Sequence, residues 1–335
     1  MTVVTSPGKL ILCGEHAVVY DRPAIALPLT QICAQVHVVD SPYGSGIMFD
    51  APNLQRHWTL AEEPEDPASA LVVHLLEHVG IARNGKTPDL HITITSDIPV
   101  AGGLGSGAAV ATALLRAIST HLDCTLSRED VSKLVYESER HFHGTPSGID
   151  NTVIAYEQPI WFCRSSAYSP WRTIPTQSMS ASAEPHIQPI VIAGPLTLLI
   201  GDTGIRSETR LPVDAVRQRR ERQILHYEAL FDAIGAVVTR IRAALAEGNL
   251  AALGLLLNNN HLLLQQMGVS STELDQLVDA ARESGALGAK LSGGGWGGVM
   301  LALVELPQVK QVSKALLAAG AVQVYQTQIA PTTKS

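Results

Sequence analysis

The chain has 335 residues, enough for two domains of about 100–200 residues each. Hydrophobic residues make up 46% and charged residues 16%, with no low-complexity tract, which excludes a disordered chain; aromatics at 4% make the core aliphatic. A net charge of −7 excludes nonspecific nucleic-acid binding, which needs a basic surface, so no nucleic-acid partner is expected.

In chain order, Lys9–Leu12 and Gln35–Val39 read as strands and 67–79 as a helix. His91–Thr95 alternates with period two and reads as a further strand. Helices over 107–121 and 128–141 follow, then a strand at Ile160–Phe162. From Ser165 to Pro189 the sequence is rich in Ser, Pro, Thr and Ala with little periodicity. A border near its end gives two domains, 1–188 and 189–335. Leu196–Ile200 opens the second domain as a strand, and helices dominate beyond it. Ser270 with Glu273 reads as a capping box, Leu274, Leu277, Val278 and Ala281 share a face, and Gly285 stops that helix. A glycine-rich turn over 293–298 then leads into the apolar run Val299–Val304.

Cys13, Cys33, Cys124 and Cys163 are widely spaced with no C-x-x-C pair, and the N-terminus lacks a basic segment followed by an apolar signal core. These features predict reduced thiols in a cytoplasmic protein. The most apolar run, Pro189–Ile200, is interrupted by Gly194-Pro195 and falls short of the ~20 residues that a membrane span needs, so no membrane partner is expected.

Pro99-Val100-Ala101-Gly102-Gly103-Leu104-Gly105-Ser106-Gly107-Ala108-Ala109 joins an alternating strand to a helix of small apolar residues. Its glycines allow positive φ and close backbone approach, and the helix start offers unpaired N–H groups and the positive end of the dipole. Phosphate is the guest that suits such a turn. A Walker A loop is excluded because Gly107 precedes Ala108-Ala109 where Lys-Ser/Thr is required. A G-x-G-x-x-A match exists at Gly103, Gly105 and Ala108. Yet it stands far from the first strand, and the acids that follow, Glu129 and Asp130, open a helix. A nicotinamide-dependent oxidoreductase and a plain packing turn remain as alternatives on this turn alone.

Two further segments carry chemistry. Pro7–Tyr20 sets Lys9, Glu15 and His16 beside an apolar strand and a glycine turn. Glu139–Asn151 sets Glu139 near a helix end and Asp150 on a loop beyond a Gly-, Pro- and Ser-rich turn, where a carboxylate serves either as a solvated turn residue or as a catalytic group. His141 and His143 have metal-like spacing, but no other Cys or His cluster supports a transition-metal site.

Taken together and in this order, P-G-K-L-I-L-C-G-E-H at 7–16, P-x-x-x-G-L-G-S-x-A-A at 99–109 and K-L-S-G-G-G-W-G-G at 290–298 resemble the motifs of the GHMP kinases, across nearly the whole chain. Within that superfamily, the segments 14–20 and 143–151 are similar to those of the mevalonate kinases. So are Asp202–Ile205 with Thr209, Asn260–Leu263 and Gly268–Ser270.

The resemblance implies the GHMP kinase fold, an α/β arrangement of α+β two-layer domains with the active site in the cleft between them. It implies ATP and Mg²⁺ as cofactors and phosphorylation of the 5-hydroxyl of mevalonate, in the mevalonate pathway of isoprenoid synthesis. The alternative is another small-alcohol kinase of the superfamily, acting on phosphomevalonate or a sugar; a non-catalytic nucleotide sensor is disfavoured by the intact Lys9, Glu139 and Asp150. A homodimer is compatible with the sequence but not required by it.

Residue by residue, Gly102, Gly103, Leu104, Gly105, Ser106, Gly107 and Ala108 correspond to the phosphate loop. Asp150 corresponds to the catalytic aspartate, and Lys9 to the lysine beside the reacting hydroxyl. Glu139 is expected to hold Mg²⁺, with Ser106 as a second metal group. Lys9, Glu15, His16, Asp150, Thr203 and Arg206 are the expected substrate contacts, with Arg206 and His16 as candidates for the acceptor carboxylate. Ser292, Gly293, Gly294 and Gly295 correspond to the loop that closes over the site. Two departures stand out: Gly107 replaces the second serine of the usual G-L-G-S-S-A, and Trp296 replaces a usual Gly or Ala.

Overall fold

The computed structural model describes residues 1–81, 87–99, 102–143, 147–164, 186–206 and 210–332. Val100, Ala101, Thr209 and the turn 144–146, part of the motifs above, lie outside the described residues, as does most of the Ser- and Pro-rich stretch (165–185).

The chain divides into two compact units. The first comprises 1–9, 28–100 and 104–158, and the second 10–27, 101–103 and 159–335. Two short segments of the first half of the chain, 10–27 and 101–103, thus join the second unit, whose main part runs from Pro159. Strands β1 (Thr2–Cys13) and β2 (Ala24–Asp40) carry residues of both units.

In the first unit β3 (Ile47–Ala51), β4 (Arg56–Thr59) and β5 (Leu90–Ser96) build a sheet with the distal part of β2. β5 pairs antiparallel with β2 (Val36 opposite Ile94) and parallel with β3 (Phe49 opposite Ile92). Ile32, Ala34, Val36 and Val38 are buried while the residues between them are half-buried, the alternation of a sheet covered on one face. The helices of this unit are α1 (Pro67–His78), α2 (Ser106–His121), α3 (Arg128–His143) and α4 (Ile149–Tyr156). α2 packs against the other three through small and aliphatic residues such as Ala109, Ala113 and Leu114.

The second unit pairs the start of β2 with β6 (Ile160–Cys163), and β6 with β7 (His186–Pro189). Its other sheet is antiparallel and built from β8 (Leu196–Asp202), β9 (Gly288–Ser292), β10 (Val299–Val304) and β11 (Gln323–Ile329), in the order β11-β8-β10-β9. Around it stand α5 (Arg210–Arg222), α6 (Ile224–Glu247), α7 (Leu250–Met267), α8 (Thr272–Glu283) and α9 (Val309–Ala318). No helix among the described residues is long and apolar enough to cross a membrane.

Two local expectations are corrected, and two strands are added. The α8 cap is Ser271, whose Oγ accepts from Leu274 N at 3.4 Å; Ser270 instead donates to Asp275. Asp150 is not on a loop but in the first turn of α4, which starts directly after Gly148 at φ 85°. β3 and β4 were not anticipated, because each is short and mixes polar with apolar positions.

Candidate active site

In the first unit three ionisable side chains converge. The backbone N–H of Lys9 on β1 donates to Leu104 O at 2.9 Å, tying the strand to the glycine turn before α2. The buried Lys9 side chain passes over Gly105, and its Nζ reaches Asp150 Oδ2 at 2.9 Å. Gly105 is required twice over: its φ is +75°, and a Cβ on it would stand 2.7 Å from Lys9 Cγ.

Next to Asp150, Asn151 donates from Nδ2 to Ser132 O at 3.0 Å and to Ser132 Oγ at 2.9 Å, fastening α4 to α3. Glu139 lies on the same helix about two turns beyond Ser132, so its carboxyl is carried toward Asp150. Burial first and the charge of Asp150 second push the Glu139 carboxyl up from its ordinary 4.5 to about 8, with Lys9 acting in the opposite direction. The shift favours the protonated form of Glu139, while the Lys9 ammonium is paired with Asp150.

α2 starts at Ser106 with Gly105 as N-cap at φ 75°, no side chain caps it, and no acid sits in its first turn. Its leading N–H groups and positive dipole end are open to an anion. Leu104, Gly105, Ser106, Gly107 and Ala108 belong to the first unit, Gly102 and Gly103 to the second. A Cβ on Gly107 would meet nothing within 4 Å, so the space for a hydroxyl side chain exists although this chain does not fill it.

The second unit gathers the 10–16 segment against β9 and the glycine loop after it. Glu15 and Lys290, both buried, form an ion pair, and Lys290 Nζ also donates to Leu291 O. Ser292 Oγ donates to Ile11 O at 2.9 Å. His16 Nε2 lies 2.9 Å from Gly294 O; since a carbonyl only accepts, Nε2 carries the hydrogen. Burial pulls the His16 pKa down to about 4, the Gly294 bond opposing it, so the ring is neutral at pH 7. Beside them Cys13 is held as the thiol, first by burial and then by the charge of Glu15.

Thr203 donates to Gly298 O from its backbone N at 2.9 Å and from Oγ1 at 2.8 Å. Arg206 donates to the two oxygens of Asp202 at 2.7 and 2.9 Å. Of the two candidates for an acceptor carboxylate, only Arg206 carries a charge at neutral pH, and it already shares that charge with Asp202. Lys290 was not anticipated as a site residue, although a lone charge in the otherwise uncharged, fully buried strand Gly288–Ser292 was a legible signal. His261 lies in the Asn260–Leu263 segment of the resemblance but was not among the expected site residues: its Nδ1 accepts from Leu291 N at 3.3 Å and its Nε2 faces Asp275 Oδ1 at 3.1 Å, so β9 is anchored to α7.

Residues 68–158 match the family profile of the GHMP kinases N terminal domain, and residues 241–322 that of the GHMP kinases C terminal. The chain is 33% identical to the mevalonate kinase of Pyrococcus horikoshii, over 96% of this chain and 93% of that protein. It belongs to the GHMP kinase family. This GHMP kinase is also 32% identical to the mevalonate kinase of Pyrococcus abyssi, with 96% and 93% of the two chains covered. A crystal structure of L. major mevalonate kinase in complex with R-mevalonate matches it with a TM-score of 0.81 at 28% identity, covering 100% of this chain and 97% of that one. Family membership makes the protein a kinase with ATP as phosphoryl donor, and the oxidoreductase alternative for the glycine turn falls away.

Proposed function

We propose that this kinase transfers the γ-phosphoryl group of ATP to the 5-hydroxyl of mevalonate, giving 5-phosphomevalonate and ADP for isoprenoid synthesis. The observation that carries the reading is the Lys9–Asp150 ion pair, 2.9 Å long and laid across the glycine turn that opens α2, in a chain whose relatives are mevalonate kinases. A carboxylate is a far weaker base than an alkoxide, so Asp150 does not strip the hydroxyl in the ground state. It orients the hydroxyl and takes its proton as the oxygen–phosphorus bond forms and the bond to ADP breaks. The loose transition state of phosphoryl transfer asks mainly for alignment and charge neutralisation. Lys9 supplies positive charge beside Asp150, and the α2 N-terminus supplies N–H donors for phosphate oxygens. Glu15, His16, Thr203 and Arg206 are assigned to the acceptor, and the 292–295 segment to the loop that closes over it.

Among the described residues no three His, Cys, Asp or Glu are grouped to hold a metal. Mg²⁺ needs no such cage, since it is bound through one or two carboxylates plus substrate phosphates. A carboxyl kept protonated by burial and by a neighbouring carboxylate suits a divalent cation, which takes the proton's place, so Glu139 is assigned to the metal with Ser106 beside the phosphates. When bound, Mg²⁺ neutralises charge on the transferring phosphoryl group.

A pH dependence follows. Below about 8 the metal must displace a proton from Glu139, so metal binding releases about one proton and tightens as pH rises, flattening above that value. The sign is that of a raised carboxyl: the neutral form is favoured in the fold, and alkali or metal removes its proton. Calorimetric titration of Mg²⁺ with ADP in buffers of different ionisation enthalpy measures the release. Glu139→Gln should lower the release by the share of Glu139, up to about one proton, leaving that of the nucleotide, and equal release from both proteins would remove Glu139 from the metal site.

The acceptor is tested by coupled measurement of ADP release with mevalonate, phosphomevalonate, galactose and homoserine. Turnover of mevalonate above the others is expected. Turnover of another alcohol with none on mevalonate would replace the acceptor and leave the kinase assignment standing.

A further inference from the structure

The glycine loop 293–298 contains one other residue type, Trp296, and its φ is 57°, a left-handed conformation in which a bulky side chain is strained. Such strain persists only where the surroundings over-determine it. Here they do. The Trp296 backbone N–H donates to Val269 O at 2.9 Å, and the indole Nε1 donates to Gly268 O at 3.0 Å. The Arg219 guanidinium lies 5.9 Å from the ring centroid and donates to Met267 O and to Gly268 O, each at 3.0 Å. The fit is close enough that a Cβ on Gly295 would stand 1.9 Å from Val269 O.

The other contacts of the loop are also specified. Gly298 N donates to Ile205 O at 2.8 Å, and Gly298 O accepts from Thr203. Gly294, two residues before Trp296, accepts from His16 Nε2 at 2.9 Å, and His16 itself has a positive φ of 60°. Two non-glycine residues at positive φ thus hold the loop, His16 from outside it at Gly294 and Trp296 from within it. A run of glycines otherwise has the largest backbone freedom to lose on ordering, and the tryptophan removes that freedom at one anchored point.

We propose that Trp296 is a positioning residue: through its indole N–H on Gly268 it sets where Gly294, and with it His16, stands relative to the acceptor alcohol. The inference rests on the kinase reading above and deepens it. Trp296 acts through the loop backbone and is not assigned to the reacting atoms.

Trp296→Phe retains a ring over Arg219 and removes only the indole donor, while Gly268 O keeps its bond to Arg219 and is not stranded. Trp296→Gly removes the side chain and relaxes the positive φ, so it tests the anchor without adding backbone strain. For the Phe variant we expect the KM for the acceptor to rise about three- to tenfold, the worth of one hydrogen bond, with kcat and the KM for ATP changed by less than about twofold. Hydrogen exchange of the 293–298 amides in the ligand-free protein should quicken while the rest of the chain is unchanged, and Trp296→Gly should exceed Trp296→Phe in both measurements. Faster loop exchange together with a raised acceptor KM supports the proposal. Either one without the other, or a uniform quickening along the chain, overturns it. The exchange measurement needs no substrate, and the kinetic one uses whichever alcohol of the panel is turned over, so a wrong acceptor and a wrong positioning role give different results.

Discussion

Asp150→Asn is expected to lower kcat by about a hundred- to ten-thousandfold, the range for loss of a positioned general base, while nucleotide affinity is retained. The carboxylate sits in the first turn of α4 with 29% of its side chain exposed, and its Oδ2 is held by Lys9 Nζ at 2.9 Å. The amide is nearly the same size and its oxygen still accepts from Lys9, so the α4 start and the Asn151 anchor on Ser132 are undisturbed. What is lost is the proton acceptor. A nucleotide titration and a coupled ADP-release assay on the same preparation separate the two effects. Near-normal turnover would remove Asp150 as the base.

Lys9→Met is expected to lower kcat/KM by about a hundred- to thousandfold, as for removal of one preorganised electrostatic group. Methionine keeps an unbranched apolar stem over Gly105, so packing at the glycine turn is largely preserved, while the ammonium 2.9 Å from Asp150 is gone. A second consequence distinguishes charge from packing. Lys9 is the group that opposes the upward shift of Glu139, so without it the Glu139 carboxyl rises further. The pH at which Mg²⁺ binding levels off should move upward in Lys9→Met and stay near about 8 in the wild type. Wild-type activity, or an unshifted Mg²⁺ profile, would show that the lysine stem and not its charge is what the site uses.

Much of the first unit was legible because its signals are local. Period-two alternation marked His91–Thr95, which is the body of β5, and small helix formers after the glycine turn marked α2. The positive φ anticipated for that turn is found at Gly103 and Gly105. Resemblance selected Lys9, Glu139 and Asp150, and the structure brings these three together in one unit. The misplaced features have local causes too. The serine pair Ser270-Ser271 offers two caps one residue apart, and only the helix start decides between them. Asp150 reads as a turn residue because Ser147-Gly148 precedes it, yet that glycine is the N-cap from which α4 begins.

The sequence by itself determined the aliphatic composition of the core, the glycine turn and its φ demands, the helix faces, and the residue types able to meet a phosphoryl group. These depend on side-chain chemistry and on periodicities a few residues long. Tertiary structure alone decided that Glu15 pairs with Lys290, that burial and Asp150 raise the proton affinity of Glu139, and that Trp296 is bonded to the end of α7. Each of these depends on burial or on a partner remote in the chain. A carboxyl changes its proton affinity only when the fold removes water and sets another charge beside it.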